Sequence, residues 1–478
     1  MPLPLEGIRV VDFSRVLAGP HCAKTLLDLG AEVIKLEPPG GDLSRKAFPG
    51  HGEISGYYAQ QNAGKRNVSI DLNAPGAREV ALRLCDTADV IVENFRPGAL
   101  AAFGLDYESV SARNPGVIYA SISGYGQHGP WRSRMAYAPT VQAETGITAN
   151  TADHFERTDN LRSDSLSHAD VYSGLHAAIA VLACLTQRER TGKGQYIDVA
   201  MAAVMLSINE RVHADLSDEE LGDERPILGA TDGPFFTGPH GERFASPMSL
   251  VGSMSFPFYL TAMRRPDLGK DPRFLTPELR LRNLAALHRI VQEWIWTFGD
   301  MAALDAQLDE AKIATGQIRT IREFAASDWA RQWHAVRTVS DRSGGKIKVP
   351  GRPWRFADQV PADEGQLAAR QGEHNAEVLN ELGFGAAQIT ALEASGALVQ
   401  PGRNGAAGSP PDPGPAPDTR TGAPGPLSPS APRRSAGRDR ACPAEAADPA
   451  QPVLRGLSLK PSSTSTASDQ HHQERNTT

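Results

Sequence analysis

The sequence is poor in the residues that build metal centres, disulfide frameworks and membrane spans. Its 478 residues include only four cysteines, and none of them stands at the spacing of a zinc site. No apolar run approaches the roughly 20 residues that span a bilayer. The first residues also lack the basic region and apolar core of a signal peptide. We therefore expect a soluble, cytoplasmic protein with no metal site and no membrane segment.

Positive charge is also scarce. Lys and Arg total 49 against 56 Asp and Glu, which leaves a net charge of −7. A protein that binds nucleic acid non-specifically needs clustered Lys and Arg to replace the counterions of the phosphate backbone. The composition therefore argues against a nucleic-acid partner, although a local basic patch would still suit a small anionic ligand.

Two familiar nucleotide and hydrolase signatures are missing. The turn at residues 15–20 reads Arg-Val-Leu-Ala-Gly-Pro, without the GxGxxG glycines that let a backbone approach a pyrophosphate. Glu37, where a ribose-binding acid would stand, therefore gives NAD binding little support. Residues 121–130 hold three glycines but no GxSxG elbow, and nothing in the spacing orients Ser123 and His128 as a catalytic pair. We treat His128 as a loop residue.

The first 126 residues alternate short β-branched runs with helical stretches. This alternation predicts βαβ units and a parallel sheet covered by helices. The expected strands are Ile8–Ser14, Glu32–Glu37, Val68–Leu72, Val90–Glu93 and Val117–Ser123, with helices at Pro20–Leu29 and Pro75–Ala88. A second block adds a helix at Val171–Gln187 and a strand at Gln195–Val199.

Three regions follow from this reading. Residues 1–220 form a large Rossmann-like α/β domain, and residues 225–320, with loops around Asp232–Gly233 and then helical patterning, form a smaller central α+β domain. Fourteen of the 36 prolines lie in residues 401–478, which contain no aromatic residue. Such a segment cannot bury a core, so we predict a disordered tail there.

Two positions stand out as chemistry-bearing. Asn94, Phe95 and Arg96 directly follow a predicted strand, and ligands of open α/β sheets bind at the carboxyl ends of strands. An ordinary turn with a hydrophobic plug explains the same residues. Asp170 directly precedes an apolar helix, so it is either a simple capping residue or a carboxylate presented as a nucleophile from a rigid element. His168 is either its acid/base partner or a loop residue.

Seven segments in one order resemble the class III CoA-transferases, the family of formyl-CoA and carnitine CoA-transferases (the CaiB/BaiF type) and of 2-methylacyl-CoA racemases. They are Asp12–Pro20, Gly30–Glu37, Asn62–Arg66 with Asp71-Leu72, Val92–Gly98, Ser121–Pro130, Ala169–Gly174 and Arg190–Met201. The resemblance covers residues 1–395, including Gly372–Leu379.

The resemblance implies a large domain completed by residues 325–398 and two chains interlocked as a homodimer. It makes Asp170 the catalytic aspartate. It places coenzyme A, a substrate rather than a tightly bound cofactor, against residues at matching positions: Leu17, Ala18, Ile70, Asp71, Leu72, Asn73, Asn94, Phe95 and Arg96, with Arg134 and Tyr137 near the pantetheine or phosphates.

The implied reaction moves CoA from an acyl-CoA to a free carboxylic acid through aspartyl anhydride and thioester intermediates. The racemase branch carries a Gly-His-Asp segment where this chain has Ala136–Pro139, which favours transfer over racemisation. Leu17 replaces a Gln of the formyl-CoA branch, Ala138 stands near its Glu, and its glycine-rich central loop is missing, so we do not expect oxalate or formate chemistry. The alternatives are an acyl-CoA racemase or epimerase on the same fold, with Asp170 and His168 sharing proton transfer, or a non-catalytic CoA-binding subunit.

Overall fold

The structure is a computed structural model that describes residues 2–399 except 48–49, 52, 155–161, 163–164, 210–211, 217–233 and 359–363. The tail at 401–478, the loop at Asp232–Gly233 and part of the polar residues 150–167 that precede Asp170 lie outside the described residues.

The described strands and helices alternate through the first half of the chain. The strands are β1 (Arg9–Asp12), β2 (Glu32–Glu37), β3 (Gly50–His51), β4 (Ile54–Ser55), β5 (Arg66–Ser69), β6 (Val90–Glu93), β7 (Ile118–Ser123), β8 (Gln195–Ala200), β9 (Phe235–Thr237), β10 (Arg243–Ala245), β11 (Gly316–Gln317), β12 (Val336–Ser340) and β13 (Lys346–Pro350). The helices are α1 (Ala18–Asp28), α2 (Gly56–Asn62), α3 (Ala77–Asp86), α4 (Tyr107–Ser111), α5 (Ala138–Glu144), α6 (Ile147–His154), α7 (His168–Thr191), α8 (Met201–Ser207), α9 (Val212–Leu216), α10 (Phe256–Met263), α11 (Pro277–Arg282), α12 (Leu284–Ile295), α13 (Met301–Glu310), α14 (Ile321–Ala325), α15 (Asp328–Trp333), α16 (Asn375–Glu381) and α17 (Ala386–Ala394). Short 3₁₀ turns lie at Leu43–Lys46, Ala101–Phe103 and Pro266–Lys270.

A six-stranded parallel sheet in the order β5-β2-β1-β6-β7-β8 organises the large region. The predicted parallel α/β sheet is therefore confirmed. The chain builds outward from β1 to β5 on one side and from β6 to β8 on the other. The strand order consequently reverses between β1 and β6, and ligands of open α/β sheets bind at such a switch point.

Helices cover both faces of this sheet. On one face α1, α5, α7 and α8 bury a cluster that includes Val10, Leu26, Val92, Val181 and Met205. On the other face α3, α16 and α17 bury a second cluster. Contrary to the expectation that no apolar run approaches the length of a membrane span, helix α7 is long and apolar enough to cross a membrane by length and composition. One side of α7 packs against α1, α5, α8 and two strands of the sheet, and 39% of its apolar window is buried.

The C-terminal part of the described chain packs beside the edge strand β5. The Val399 N–H donates to the Ser69 carbonyl at 3.1 Å, and the Asp71 N–H donates to the Ala397 carbonyl at 3.0 Å. Leu398 joins the buried cluster beneath α3. These contacts extend the large region with residues that lie more than 300 positions from β5.

The central region has a core of its own. Strands β9, β10 and β11 form an antiparallel sheet. Side chains from this sheet and from α10, α12 and α13 bury a third cluster, which includes Phe244, Tyr259, Phe274, Val291 and Leu304. The domain boundaries proposed from the sequence remain predictions.

A substitution at Gly194 tests the pairing of β7 with the edge strand β8. A Cβ at Gly194 would lie 1.9 Å from the Val117 carbonyl oxygen, so Gly194→Ala must displace one strand end. We expect it to lower the free energy of unfolding by about 2 kcal/mol or more. Exposed Gly299 has open space around its Cβ position, so Gly299→Ala is the matched control and should change stability little. Urea unfolding measures both variants, and equal stabilities would contradict this packing.

Candidate active site

The switch point of the sheet is bridged by a side chain rather than left open. Asn94, directly after β6, accepts the Arg15 N–H at its Oδ1 and donates through Nδ2 to the Arg15 carbonyl, both at 2.8 Å. The loop after β1 is thereby tied to the loop after β6. The Arg15 guanidinium carbon lies over the Phe95 ring, 4.9 Å from the centroid of that ring. These two predicted CoA-binding residues thus border the turn that leads into α1.

The backbone from Ser14 to Val16 is held by buried side chains on both sides of Arg15. The Ser14 N–H donates to Asp12 at 3.0 Å, and Lys35 Nζ donates to the Ser14 carbonyl at 2.7 Å. The Val16 N–H lies 3.2 and 3.3 Å from the two oxygens of Asp42. With the pair made by Asn94, five successive polar groups of this backbone have side-chain partners.

The charges behind this loop largely balance one another. Lys65 Nζ lies 2.8 Å from Asp12, and Lys35 Nζ lies 3.0 Å from Asp42. All four side chains are buried. Burial opposes ionisation of Asp12 and Asp42, but the neighbouring lysines outweigh it and hold the pKa of both carboxyls below the usual range. The loop therefore rests on ionised, paired groups.

Helix α1 then meets helix α7 at close range. A Cβ at Gly174 would lie 2.5 Å from the Ala18 carbonyl oxygen and 3.2 Å from the Cys22 nitrogen, so only glycine allows the two backbones to approach this closely. Because Gly174 lies one turn after Asp170, this contact brings the N-terminus of α1 against the N-terminus of α7.

Asp170 stands where the two helix N-termini meet. It is in the first turn of α7, because this helix begins at His168 rather than at the predicted Val171, and Ser167 is the N-cap. Burial raises the pKa of its carboxyl to about 6, and the backbone N–H of Ala18, which donates to the carboxylate, lowers it. Burial, and to a smaller extent the nearby Asp170 charge, raises the pKa of the Tyr57 phenol on α2 to about 12. Asp170 is therefore ionised near neutral pH beside a phenol that keeps its proton.

A second buried carboxyl lies at the same edge of the sheet. Glu93, the last residue of β6, accepts the Phe95 N–H at 2.8 Å. Burial raises the pKa of Glu93 to about 7, the Asp198 charge adds to the rise, and hydrogen bonds from Ser121 and Phe95 oppose it. Glu93 is consequently half-ionised near neutral pH, directly beneath the Asn94–Arg96 loop.

The predicted site residues fall into three groups. The first group lies around the turn between β1 and α1, which leads to Asp170. It consists of Leu17, Ala18, Asn94 and Phe95, and the exposed Arg96 follows Phe95 in the chain. Four residues, Ile70, Asp71, Leu72 and Asn73, follow the edge strand β5 on the far side of β2. Ile70 is buried against the C-terminal segment, whereas Asn73 is exposed and donates to Asp71 at 3.0 Å.

Arg134 and Tyr137 form the third group, beside α5. Both side chains are exposed; Arg134 pairs with Glu144 and lies over the Trp131 ring, 4.6 Å from its centroid. Arg134 also lines a cavity of about 440 Å³ together with Tyr125, Met135, Thr140, Ala143 and Glu144. Helix α5 joins the Asp170 region through Gln142, which accepts the Ala169 N–H at 3.4 Å.

Sequence reasoning missed the groups that hold the loop. Lys35 and Lys65 stand inside segments that carried the family resemblance, but Asp42 and Tyr57 had no pattern of their own. A charged residue inside an apolar strand, as Lys35 is in β2, was the available signal, because such a residue is buried only when it is paired. Glu37 is engaged within the fold: Tyr58 donates to it at 2.7 Å and Asn67 at 2.8 Å. His168 stacks on Tyr172, with ring centroids 5.8 Å apart.

Comparison with known proteins shows which family the chain belongs to. The chain is 31% identical over 417 residues to a formyl-CoA:oxalate CoA-transferase of Streptomyces coelicolor, covering 82% of this chain and 99% of that protein. It is 31% identical over 393 residues to a succinate–glutarate CoA-transferase of Agrobacterium fabrum, with coverages of 79% and 96%. A CaiB/BaiF family protein from Brucella suis superposes with a TM-score of 0.66 at 31% identity, over 80% of this chain and 100% of that one.

The parallel-sheet fold and these relatives define a CoA-transferase, an enzyme that uses CoA thioesters as substrates. Within that class, the chain belongs to CoA-transferase family III, whose profile matches residues 5–375. The family expected from the sequence motifs is therefore confirmed.

Glu93 provides a pH-dependent test of the site electrostatics. Its pKa rises from 4.5 to about 7 on folding, so between those values the folded state binds more protons than the unfolded state. The free energy of unfolding therefore falls as the pH rises through this window and levels off above it. Glu93→Gln removes this loss, and we expect it to be more stable than the wild type by up to about 3 kcal/mol at pH 8 but similar at pH 4.

Urea unfolding at both pH values measures the difference. The exposed Glu310→Gln is the control, and its effect should be small at both pH values. A Glu93→Gln effect of the same size at pH 4 and pH 8 would contradict a raised pKa.

Proposed function

We propose that Asp170 is the nucleophile that carries the acyl group and then CoA between an acyl-CoA donor and a free carboxylic acid. The observation that carries this proposal is the placement of Asp170: a partly buried carboxylate in the first turn of α7, hydrogen-bonded by the first amide of α1. Helix N-termini favour negative charge, so the meeting of two of them suits a site where anions form and depart.

The proposed reaction balances without a redox or metal step. The Asp170 carboxylate attacks the thioester carbonyl, and the C–S bond breaks. CoA leaves as a thiolate, and a mixed anhydride between Asp170 and the donor acid remains. The thiolate attacks the aspartyl carbonyl of the anhydride, releasing the donor acid and leaving an aspartyl-CoA thioester. The acceptor carboxylate then attacks the aspartyl thioester, which releases the CoA thiolate and forms a second mixed anhydride. The thiolate attacks the acceptor's acyl carbonyl in that anhydride, which forms the product acyl-CoA and regenerates the Asp170 carboxylate.

Coenzyme A would lie along the carboxyl edge of the sheet. Asn94, Phe95 and Arg96 stand at the switch point, Leu17 and Ala18 at the start of α1, and Arg134 beside its cavity. Ile70 to Asn73 would be reached further along the same edge. We also propose that the protein works in the cytoplasm as an interlocked homodimer, with acyl-CoA and a free acid as its partners.

Leu17 bears on which donor and acceptor acids the site accepts. Relatives are named for formate, oxalate, succinate, glutarate and citramalate. Leu17, at the N-cap of α1, has an apolar buried side chain that cannot donate a hydrogen bond to a small acid. We therefore expect acyl donors larger than formyl-CoA and acceptors other than oxalate.

Covalent trapping tests the nucleophile. The protein is incubated with succinyl-CoA, acetyl-CoA or formyl-CoA, trapped with hydroxylamine or borohydride, and mapped by peptide mass. We expect modification at Asp170, and Asp170→Asn should reduce CoA transfer by at least about 10³-fold while retaining CoA binding. Asp328 occupies the first turn of α15 and is exposed, so Asp328→Asn tests whether a helix-start aspartate matters as such. Full activity of Asp170→Asn would refute the proposal. If no adduct forms at Asp170 but the acyl-CoA exchanges its α-proton for solvent deuterium, the result would support the racemase instead.

The pH dependence of acylation follows from the Asp170 environment. Only the ionised carboxylate attacks, and its pKa is about 6, so the fraction ionised falls steeply below that value. We expect the initial rate of Asp170 acylation to be about tenfold lower at pH 5 than at pH 8. Measuring CoA binding over the same range separates this effect from titration of the ligand. A rate that stays constant from pH 5 to pH 8 would contradict the assignment.

A further inference from the structure

Val16 adopts a backbone conformation that its side chain disfavours. Its φ is +66°, in the left-handed region that β-branched residues rarely occupy. Such a conformation is energetically unfavourable and persists only where the surroundings enforce it. Val16 lies two residues before Ala18, whose N–H reaches Asp170. Strain is therefore stored immediately beside the nucleophile.

Asp42 is the side chain that holds Val16. The Val16 N–H is shared between both Asp42 oxygens, at 3.2 and 3.3 Å. Asp42 is itself fixed, because the Ser44 N–H and hydroxyl donate to it at 2.9 and 2.7 Å and Lys35 Nζ lies 3.0 Å away. Its own N–H donates to Glu37 at 3.1 Å. A fully buried carboxylate, fixed by Ser44 and Lys35, therefore sets the direction of the Val16 amide.

The turn after Val16 transmits this constraint to Asp170. Gly19 packs against Ser14, since a Cβ there would lie 2.1 Å from the Ser14 Cβ. The Ala18 carbonyl, in turn, packs directly against Gly174 of α7. Asn94 thus ties Arg15 and Asp42 ties Val16, and in this arrangement the Ala18 N–H donates to the carboxylate of Asp170.

We propose that Asp42 is a positioning residue for the reaction: by holding Val16 in the left-handed conformation it aims the Ala18 amide at Asp170. The inference rests on the proposed role of Asp170 as nucleophile. Without Asp42, Val16 relaxes toward a negative φ and the Ala18 N–H turns away. Asp170 then loses the hydrogen bond that stabilises its ionised form and becomes a weaker, misplaced nucleophile.

The structure supplies variants that separate this role from others. Asp42→Ala removes both the acceptor and the charge, whereas Asp42→Asn keeps an acceptor for Val16 and removes only the charge. Val16→Gly removes the strain, because glycine adopts positive φ without cost, so it should partly rescue Asp42→Ala. Asp106 caps α4 as Asp42 caps its 3₁₀ turn, so Asp106→Ala controls for loss of a cap.

The first readout is the pKa of Asp170, measured without any CoA chemistry. Carbodiimide coupling to an amine modifies protonated carboxyls, and peptide mass at a series of pH values gives the titration of Asp170. Tyr57 on α2 and the Ala18 amide on α1 are the groups that face it. Losing the Ala18 hydrogen bond raises the pKa of Asp170, whereas merely losing the Asp42 charge would lower it or leave it unchanged. The two explanations therefore predict opposite shifts.

We expect Asp42→Ala to move the Asp170 titration to higher pH and to slow acylation at pH 7 by about 10- to 100-fold. Asp42→Asn should keep the wild-type titration or move it slightly lower, Asp106→Ala should not move it, and adding Val16→Gly to Asp42→Ala should recover part of both losses. If Asp42→Ala does not fold, Ser44→Ala, which removes one hydroxyl from Asp42, should give a smaller shift in the same direction.

The possible results distinguish a wrong role for Asp42 from a wrong role for Val16 and from a wrong assignment of the nucleophile. An unshifted or lowered Asp170 titration in Asp42→Ala, or in Ser44→Ala where that variant replaces it, overturns this inference while leaving the nucleophile untouched. A raised titration that Val16→Gly does not reverse overturns the link through Val16. Wild-type protein with the expected titration but no acyl adduct at Asp170 from any donor refutes the proposed function instead.

Discussion

The site depends on one close contact, where helices α1 and α7 meet at Gly174. With no side chain at this position, the Ala18 carbonyl lies against α7, and a Cβ there would be only 2.5 Å away. This contact brings two helix N-termini together and leaves Asp170 between them. The turn that precedes α1 must then run along a single path, and Asn94, Asp12, Lys35 and Asp42 hold its backbone to that path.

Charge at the carboxyl edge of the sheet is divided into two kinds. Behind the loop, Asp12 and Asp42 are paired with Lys65 and Lys35 and stay ionised despite burial. In front of it, burial dominates at Asp170 and Glu93, and their pKa values rise to about 6 and about 7. The paired groups stabilise the scaffold. Ionisation of Asp170 and Glu93 instead lowers the free energy of unfolding as the pH rises from their usual pKa values to these raised ones. Costs of this kind are typical of groups kept for chemistry or ligand binding.

The sequence predicted the fold well where hydrophobic patterns were continuous. Strands β2 and β6 have the predicted bounds, and the sheet is parallel as the alternation required. End positions were less accurate. Helix α1 begins at Ala18 rather than at Pro20, and α3 begins at Ala77, so Pro75 precedes that helix instead of lying in its first turn. Helix starts depend on which nearby groups satisfy the first amides, and here one of those groups, Asp170, lies some 150 residues away.

The sequence by itself determined the parallel α/β sheet, the family and Asp170 as the leading candidate, because periodicity and motif order are local properties of the chain. Only the tertiary structure decided which residues surround Asp170. Lys35, Asp42, Tyr57 and Gly174 come from separate strands, turns and helices, and folding brings them beside the same turn. The raised pKa of Asp170 was likewise beyond the sequence, because burial is a property of the packed structure.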